Sequence, residues 1–400
     1  MNRKKVQLYK RISYICIFLL LCEIFYGGYY FLFKNEKSVY FEGINAVVST
    51  KQYFVTVGSN NDNDLHYEKA KISQYNEQKE KTFEKLYNVG YNSSFFGVEV
   101  DEDSFIAVGS YEKTEEDHNH SIRRALIIKY DVDGNVLFEK DFGLLDNSKF
   151  TSVVVAEDGY YVTGQSIYRN TRVGSKEGGA ILVKYSKDGE LLWYCTYGSS
   201  KSAIFNELIL YRDSIYTVGT DDDYLGLLVQ FDLNGNIIHY NDYRTTDSLG
   251  FSGIVAKDSF IYISGALRRE NNDTDGMIVR YNTNCVYIDQ VVYTGDGIER
   301  FNKILVDDQD HLVVIGTMAT TQKHSGITEY NYDGILAKYD LDLKYIDSVS
   351  YGVDRDDYFT DIIYDNGEYV VAGYSYYDDG SYMSKFIRYS KALKVLGVDS

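Results

Sequence analysis

Residues 150–198 read FTSVVVAEDGYYVTGQSIYRNTRVGSKEGGAILVKYSKDGELLWYCTYG. In this stretch an aromatic anchor, Phe150, is followed by an apolar strand, a polar turn and a second strand that ends at Gly164. After a variable polar loop, a third strand ends at Tyr185, and a turn that contains Asp-Gly leads into a fourth strand. An Asp-Gly pair between two apolar runs is typical of a tight β-hairpin. The stretch therefore predicts four short antiparallel strands.

The same order of features recurs seven times along the chain. The anchors are Ile44, Phe95, Phe150, Phe205, Phe251, Phe301 and Phe359. The glycines that follow them by 14 residues, or by 15 in one repeat, are Gly58, Gly109, Gly164, Gly219, Gly265, Gly316 and Gly373. A four-stranded unit that repeats seven times predicts an all-β fold, a seven-bladed β-propeller of four-stranded antiparallel blades.

Each blade is expected to consist of its own contiguous repeat, without strand exchange. The blades are predicted at approximately residues 44–90, 91–143, 144–198, 199–243, 244–295, 296–352 and 353–400. Residues 38–41 are a candidate extra strand where the last blade meets the first. First strands such as VVV at 153–155 are continuously apolar, which predicts that the innermost strands are buried on both faces. The recurring glycine predicts a close backbone approach or a bulge at the end of the second strand.

Composition and charge exclude several classes of protein. Charged residues make up 25% of the chain and hydrophobic residues 44%, which excludes a disordered chain and a polytopic membrane protein. The chain contains 41 Tyr, 33 Gly and no Pro, which favours short aromatic strands and excludes proline-rich linkers. Residues 35–400 carry 35 basic and 58 acidic side chains. Because so acidic a surface repels phosphate backbones, nucleic acid is not an expected partner.

An apolar run at residues 12–33, ISYICIFLLLCEIFYGGYYFLF, is long enough to cross a bilayer once. The basic residues before it favour a cytoplasmic tail at residues 1–11, and the propeller would then lie outside the cell membrane after a short linker at residues 34–43. A cleaved signal peptide and a lipoprotein are alternatives. No A-x-A-like site follows the run, and Cys22 follows Leu21 where a lipobox has a small residue. The sequence therefore predicts an uncleaved signal anchor and a single-pass protein of the cell membrane, although whether the anchor is cleaved stays open.

No cofactor and no metal site is predicted. Cys195 and Cys285 lie in different repeats without metal-ligand spacing, and we expect both to be small core residues. Residues 271–276, NNDTDG, imitate the start of a calcium loop, but the twelfth position is Asn282 rather than Glu, which favours a turn. The chain also lacks the short motifs of hydrolases, P-loop proteins and dinucleotide-binding proteins.

The repeats resemble the bacterial seven-bladed β-propeller (SBBP-like) repeat and, more distantly, the PQQ-like and delta-60 repeats. The shared elements are a second strand ending in Gly, as at residues 160–164, and the pattern ILVKY–DG–LLW–YG, as at residues 180–198. The recurring Trp of the PQQ-like pattern is mostly missing, because Trp193 is the only Trp of the chain. The resemblance spans residues 44–400 and implies an exported propeller. It implies no cofactor and brings no catalytic residues.

Candidate binding residues follow from the expected propeller geometry. The loops from second to third strands and from fourth to first strands share one face of a propeller, here called the top face, and such loops commonly carry function. The residue two positions after each anchor is expected near the top of the central channel. The charged members of this set, Glu207, Lys303 and Asp361, are therefore candidate ligand-binding residues.

The loops of the top face supply further candidates. Tyr330, Tyr376 and Tyr377 are predicted to offer stacking surface for a sugar or a peptide. The loop between second and third strands is basic in the third blade and acidic in the fourth, fifth and seventh blades.

Two functions are compatible with these features. The first is a non-catalytic binding or scaffold module, held outside the membrane by one helix, whose partner is an envelope or membrane protein or a surface glycan. The alternative is an exported hydrolase or lyase that acts on a carbohydrate or phosphorylated substrate at the channel mouth, with Glu207 and Asp361 as its first candidates. The missing catalytic motifs favour the binding module, and enzymatic activity stays an open question.

Overall fold

A computed structural model describes residues 42–50, 52–62, 67–76, 80–115, 118–144, 147–167, 178–198, 203–221, 225–243, 248–269, 274–295, 297–324, 327–353, 356–377 and 382–399. The predicted anchor at residues 12–33 and the candidate extra strand at residues 38–41 lie outside the described residues. None of the described residues belongs to a helix long and apolar enough to span a membrane.

The described residues form 28 β-strands in seven consecutive groups of four, which we call blades 1 to 7. Blades 1 to 4 contain β1 (Glu42–Ser49), β2 (Tyr53–Asp62), β3 (Tyr67–Asn76), β4 (Lys81–Leu86), β5 (Tyr91–Asp101), β6 (Ser104–Glu115), β7 (His118–Asp131), β8 (Val136–Phe142), β9 (Asn147–Ala156), β10 (Gly159–Ile167), β11 (Gly179–Tyr185), β12 (Leu191–Tyr197), β13 (Ile204–Tyr211), β14 (Ser214–Thr220), β15 (Gly226–Phe231) and β16 (Ile237–Tyr243). Blades 5 to 7 contain β17 (Ser248–Lys257), β18 (Phe260–Arg268), β19 (Thr274–Asn282), β20 (Tyr287–Tyr293), β21 (Glu299–Val306), β22 (His311–His324), β23 (Ile327–Asp340), β24 (Tyr345–Tyr351), β25 (Asp356–Asp365), β26 (Glu368–Tyr376), β27 (Tyr382–Ser390) and β28 (Val395–Asp399).

The blades are arranged as a propeller. Within each blade the four strands are antiparallel and pair in chain order. The first strand of each blade packs against the first strand of the next, and β25 of blade 7 packs against β1, so the first strands surround a central channel. The all-β propeller of four-stranded antiparallel sheets that the repeat predicts is confirmed.

A β-bulge lies at the same place in the first strand of every blade. The anchor pairs with the recurring glycine, the next residue bulges, and pairing resumes one residue later. The glycine is required by a close approach, since a Cβ at Gly109 would stand 2.0 Å from the carbonyl oxygen of Ser94, and a Cβ at Gly316 would stand 1.7 Å from that of Arg300. The predicted close approach is confirmed, and the bulge belongs to the first strand rather than the second.

The bulged residue joins most blades to the next one. In five of the seven joints of the described ring its side chain donates a hydrogen bond to the anchor carbonyl of the following blade. These bonds join Asn45 to Phe95 (2.7 Å), Thr151 to Phe205 (2.6 Å), Asn206 to Phe251 (2.7 Å), Asn302 to Phe359 (2.9 Å) and Thr360 to Ile44 (2.8 Å). The last bond joins blade 7 to blade 1. The described ring therefore closes by the same contact as four of its other joints, and its strands show no exchange between these blades.

The innermost strands are not buried on both faces, so that prediction is wrong. Every residue of the third strands β11 and β15 is buried, whereas buried and half-buried residues alternate in a first strand such as β9. The residue four positions after the anchor is half-buried in all seven blades. The reason is that one face of a first strand lines the channel, while neighbouring blades cover both faces of a third strand.

The turns between third and fourth strands pack against side chains of the preceding blade. In blade 4 the predicted turn places Gly235 at a φ of 81°, and a Cβ there would stand 2.7 Å from the Trp193 ring. In blades 5 and 6 the corresponding residues, Cys285 and Leu343, accept positive φ and bury their side chains. Cys285 is therefore a core residue as predicted, whereas Cys195 is half-buried.

Two hairpins have longer strands than the others. They are β6–β7 of blade 2 and β22–β23 of blade 6, whose paired strands continue past the level of the anchor toward the top face. Each one is linked to the next blade by a one-residue parallel bridge, from Arg123 to Asn147 and from Tyr332 to Asp356. The joints between blades 2 and 3 and between blades 6 and 7 therefore share one design.

A buried aspartate lies in each of these joints, at the end of the blade away from the top face. Asp101 accepts hydrogen bonds from Lys129, Lys187 and Tyr160, each at 2.6 Å. Burial by itself would raise the pKa of Asp101, but the three donors outweigh burial and lower the pKa to about 2. Charge-assisted hydrogen bonds of this kind are among the strong ones in proteins.

Asp307 occupies the same position in blade 6, six residues after the anchor. It accepts a hydrogen bond from the Tyr369 hydroxyl at 2.6 Å and one from the backbone N–H of His311 at 2.9 Å, and the Lys338 ammonium lies 3.6 Å away. Here too burial would raise the pKa of Asp307, and the hydrogen bonds, first that of Tyr369, outweigh it and lower the pKa.

Candidate functional site

The three charged candidates meet in the central channel. Lys303 of β21 forms an ion pair with Glu207 of β13, and its Nζ lies 3.7 Å from Oδ1 of Asp361 on β25. These contacts join blades 4, 6 and 7 across the channel. The Lys303 side chain retains 30% exposure, so solvent reaches this group of charges.

Both carboxylates also bind the backbone of a neighbouring blade. Oε2 of Glu207 accepts the N–H of Ile254 at 3.0 Å, and Oδ2 of Asp361 accepts the N–H of Val47 at 2.8 Å. Burial raises the pKa of both carboxyl groups, and Lys303 opposes this effect. Burial would lower the pKa of Lys303, but the two carboxylates that face it raise that pKa instead. Glu207 therefore strengthens the joint between blades 4 and 5, and Asp361 the joint that closes the ring.

A fourth charged residue of the channel, Glu99, was missed in the sequence. It lies four positions after Phe95 and so faces the same way as the residue two positions after that anchor. Burial raises its pKa to about 7, an effect that Lys303 opposes and the other two carboxylates strengthen. A signal was present, because the same position is apolar in the other six blades: Val48, Val154, Ile209, Val255, Leu305 and Ile363.

The channel therefore holds three carboxylates around one ammonium group. Lys303 and backbone N–H groups already occupy Glu207 and Asp361, which makes this pair part of the scaffold. Glu99 is the member whose pKa lies close to neutral pH. Across the described part of the chain, no group of three or more His, Cys, Asp or Glu side chains could hold a metal ion.

A cluster of five rings lies on the top face of blades 6 and 7; we call Tyr332, Tyr358, Tyr374, Tyr376 and Tyr382 the tyrosine surface. Neighbouring ring centroids are 5.2–6.1 Å apart, a normal range for aromatic pairs. All five residues are half-buried, so part of each side chain faces solvent. The cluster places the predicted Tyr376 among four tyrosines that the sequence did not single out.

Strand register brings these tyrosines together. Tyr374 and Tyr376 are two residues apart on β26 and therefore share a face of the sheet. Tyr358 on β25 pairs with Tyr374, and Tyr382 on β27 pairs with Tyr376. Tyr332 is added from blade 6 by the parallel bridge that links the two blades. The surface thus depends on contacts between distant parts of the chain.

The other two predicted tyrosines lie apart from this surface or outside the described side chains. The Tyr377 ring lies 5.5 Å from the ammonium of Lys385. The backbone of Tyr330 pairs with Thr321 in the long hairpin of blade 6, and its side chain is outside the described part. Most of the charged loop residues of blades 3, 4, 5 and 7 also fall outside it.

Carboxylates accompany the tyrosine surface. Burial raises the pKa of Asp333, and the negative charges of Asp357 and Asp356 raise it further. On the side of blade 1, burial and the negative charge of Glu68 raise the pKa of Tyr382 to about 12. The rings therefore lie in a negatively charged environment.

A second pair of acids lies at the joint between blades 5 and 6. Burial, with repulsion from Asp275, raises the pKa of the fully buried Glu299 to about 7. Asp275 is held by Nε of Arg269 at 2.6 Å. Asp275 lies inside β19, which begins at Thr274, so the turn predicted over residues 271–276 is wrong for its last three residues. Acidic groups thus occur along the top of blades 5 to 7.

Solved structures similar to this chain are β-propellers. The periplasmic gluconolactonase PpgL of Pseudomonas aeruginosa matches with a TM-score of 0.54 and 11% identity over 88% of this chain and 96% of that chain. The WD40 β-propeller domain of Doa1 matches with a TM-score of 0.51 and 10% identity over 87% of this chain and 95% of that chain. Chaetomium thermophilum Sqt1, solved with the N-terminus of ribosomal protein L10, matches with a TM-score of 0.51 and 10% identity over 91% of this chain and 90% of that chain. At such identities the likeness shows the fold alone.

No family model matches the sequence, and no curated protein matches it significantly. The resemblance to the bacterial propeller repeat therefore stays a prediction that rests on the repeated residues themselves.

Proposed function

We propose that this chain is a membrane-anchored, extracytoplasmic binding module that holds an envelope protein or a surface glycan on its top face. The observation that carries the proposal is the tyrosine surface. Tyrosine is enriched in binding interfaces, because its ring offers a large contact area at low cost in conformational entropy and its hydroxyl forms hydrogen bonds. Five partly exposed rings on one rigid scaffold suit such a role.

A non-catalytic role is supported by the use of charge in the channel. Glu207 and Asp361, the two residues that a channel-mouth hydrolase would use first, are bound to Lys303 and to backbone N–H groups of neighbouring blades. Freeing either carboxylate for proton transfer would break a joint between blades.

The membrane location rests on residues 12–33 and the basic tail before them. Two fractionation results are expected for the full chain in its native cells. The protein should stay in the membrane pellet after extraction at alkaline pH, and protease added to intact cells without their wall should digest the propeller. Release by alkali, or full protection from protease, would contradict the anchor or its orientation.

The binding role can be tested by site-specific photo-crosslinking in native cells. A photoreactive phenylalanine analogue is placed at position 376, in the tyrosine surface, or at position 240, an exposed tyrosine on the outer strand β16 that is 60% exposed. We expect one discrete adduct from position 376 and none from position 240. A Tyr374→Ser substitution in the same chain should remove the adduct.

Equal adducts from both positions, or an adduct that survives Tyr374→Ser, would contradict binding at the tyrosine surface. A glycan partner would instead retain the unmodified protein on cell-wall or capsule material, and Tyr374→Ser would abolish that retention. Absence of both results would leave the proposal without support and overturn it.

The second candidate is a hydrolase at the channel mouth, and Glu99 favours it. A carboxyl group with a pKa near 7 can both donate and accept a proton at neutral pH. If the chain hydrolyses a lactone or a sugar phosphate, Glu99→Gln should lower kcat by about a hundredfold or more. The folded Tyr374→Ser variant is the matched control and should keep kcat unchanged.

A further inference from the structure

We propose that the tyrosine surface binds a segment of a protein partner that is rich in arginine and lysine, an inference that deepens the proposed function and rests on it. The candidate surface consists of the five tyrosines together with Asp333, Asp356 and Glu68. The partner's cations would lie over tyrosine rings and face these carboxylates.

The chain itself holds one cation in this way. The Lys184 ammonium lies 3.5 Å from the centroid of the Tyr161 ring and forms an ion pair with Asp158. Lys129, Lys338 and Lys391 also lie near a tyrosine and an aspartate, but there the tyrosine hydroxyl donates a hydrogen bond to the aspartate. A tyrosine ring and an aspartate can thus hold one ammonium group together.

Rings and a carboxylate also lie together at the tyrosine surface, where Oδ1 of Asp356 accepts the backbone N–H of Tyr332 at 3.0 Å. In the described part of the chain, no Lys or Arg lies over the rings of Tyr358, Tyr374 or Tyr376. Lys385 lies on the opposite face of β27 from Tyr382, is 8% exposed and lies near the rings of Tyr351 and Tyr377. Its charge is therefore on the other face of the sheet from the rings of Tyr374, Tyr376 and Tyr382.

Charge also separates a basic protein segment from a glycan. A neutral sugar can donate hydrogen bonds to the carboxylates near the rings but gains no net electrostatic attraction from their charge. An acidic polysaccharide is repelled by a domain with 23 more acidic than basic residues over positions 35–400. A cationic segment gains both cation–π attraction and complementary charge, which also raises the rate of association.

The probe is a fluorescein-labelled peptide of six Arg-Ser repeats, titrated with the purified full-length chain and followed by fluorescence anisotropy. The matched peptide carries citrulline in place of arginine, which keeps the shape and removes the charge. We expect the arginine peptide to bind about tenfold more tightly than the citrulline peptide, with an affinity that falls as salt rises. A labelled neutral oligosaccharide should bind more weakly than both.

Variants separate this site from the general acidity of the protein. Tyr374→Ser with Tyr376→Ser should weaken the arginine peptide about tenfold, and the Phe substitutions at both positions should keep most of the affinity because the rings remain. Asp333→Asn with Asp356→Asn should weaken it several-fold and reduce its salt dependence. The control is Tyr194→Ser with Tyr240→Ser, two exposed outer-strand tyrosines, and should leave the affinity unchanged.

Equal binding of the arginine and citrulline peptides, or equal weakening by the control pair, would overturn the inference. Tighter binding of the oligosaccharide would overturn it in favour of a glycan. The proposed function has its own readout, because an adduct at position 376 that depends on Tyr374 supports binding even when the arginine peptide fails. Should the double Ser variant fail to fold, the Phe and Asn variants decide the outcome.

Discussion

The joint between blades 2 and 3 and the joint between blades 6 and 7 are built on the same plan and carry different surfaces. Both have a long hairpin, a parallel bridge to the next blade and a buried aspartate that binds a lysine and a tyrosine. Their top faces differ. At blade 2, Arg123 is paired with Glu112 at 2.8 Å and Arg124 with Asp141 at 3.0 Å, whereas blades 6 and 7 present the tyrosine surface.

This difference separates scaffold from function. Features that both joints share depend on backbone geometry and burial, so they belong to the scaffold. The top of blade 2 satisfies its charges internally, while the tyrosine surface leaves rings and carboxylates facing solvent. The recurring features of a repeat protein thus report on its fold, and the departures from the repeat are where we expect a binding site.

The substitutions with the largest expected effect test whether blades 2 and 6 depend equally on their recurring glycine. Gly109→Ala in blade 2 and Gly316→Ala in blade 6 each force a Cβ against a backbone carbonyl, and each should lower the free energy of unfolding by about 3 kcal/mol or more. Urea unfolding of both variants measures the loss. Gly43→Ala is the control, because its Cβ would meet the Tyr382 ring at 3.6 Å, an ordinary contact. A small loss in one blade alone would break the equivalence.

The buried aspartates should behave alike as well. Asp101→Asn leaves the half-buried Lys129 without its carboxylate, and Asp307→Asn does the same to the buried Lys338. Each substitution should cost about 2–4 kcal/mol at pH 7. Because both native pKa values lie below the ordinary value of 3.8, this stability is present above pH 4 and is lost as the pH falls toward 2. The difference between wild type and variant should therefore shrink over that range.

Urea titrations at pH 7 and pH 3 measure this change. Asp103→Asn, at an exposed position beside Asp101, should have no effect at either pH. A cost for Asp307→Asn that does not depend on pH would show that the second joint uses this residue for its shape rather than its charge.

The channel position four residues after the anchor is Glu99 in blade 2 and Leu305 in blade 6. We expect this exchange to change the free energy of unfolding by a smaller amount that depends on pH. The folded-state pKa of Glu99, about 7, lies above its ordinary value of 4.5, so the ionised group destabilises the fold and the penalty grows as the pH rises from about 4.5 to 7. Glu99→Leu should raise the free energy of unfolding at pH 8 by up to about 3 kcal/mol and change it little at pH 4.5. Equal effects at both pH values would show that packing, not charge, decides.

The smallest expected effect concerns the ion pairs on blade 2. Asp141→Ala removes the partner of Arg124 at a side chain that is 37% exposed, and should cost less than about 1 kcal/mol in low salt. The cost should disappear in 1 M NaCl, where exposed charges are screened. A loss of 2 kcal/mol or more, on the order of a buried pair, would mean that the hairpin of blade 2 depends on its surface charges.

Much of the fold could be read from the sequence because each repeat states its own geometry. The anchors and glycines mark the bulge where a Cβ would strike a carbonyl, and the Asp-Gly turns mark the hairpins. Glu207, Lys303 and Asp361 could be placed together because their distance from the anchor fixes their position in the channel. The hydrogen bond from Asn45 to the anchor carbonyl of the next blade, and its equivalents in other blades, also left a signal in the sequence, since Asn or Thr follows five of the seven anchors.

The tyrosine surface could not be predicted in the same way. Tyr332 and Tyr358 are 26 residues apart in different blades, and among 41 tyrosines nothing in their neighbours distinguishes them. Their contact depends on how one blade is offset against the next, which a repeat pattern does not state. The inner strands were misjudged for a related reason, because apolar residues fit a narrow channel as well as a covered sheet.

Closure of the ring by Thr360 and Asp361 has a consequence for the order of the chain. The hydrogen bond from Thr360 to Ile44 is the same contact that links the blades at four other joints. The start of β1 and the end of β28, the first and last described strands, lie where a loop from a fourth to a first strand would lie. The ring therefore has no privileged seam. A circularly permuted version of residues 42–399, cut between blades 3 and 4 and joined from Asp399 to Glu42, would keep every one of these hydrogen bonds. Gene duplication could likewise add blades without a special closing contact.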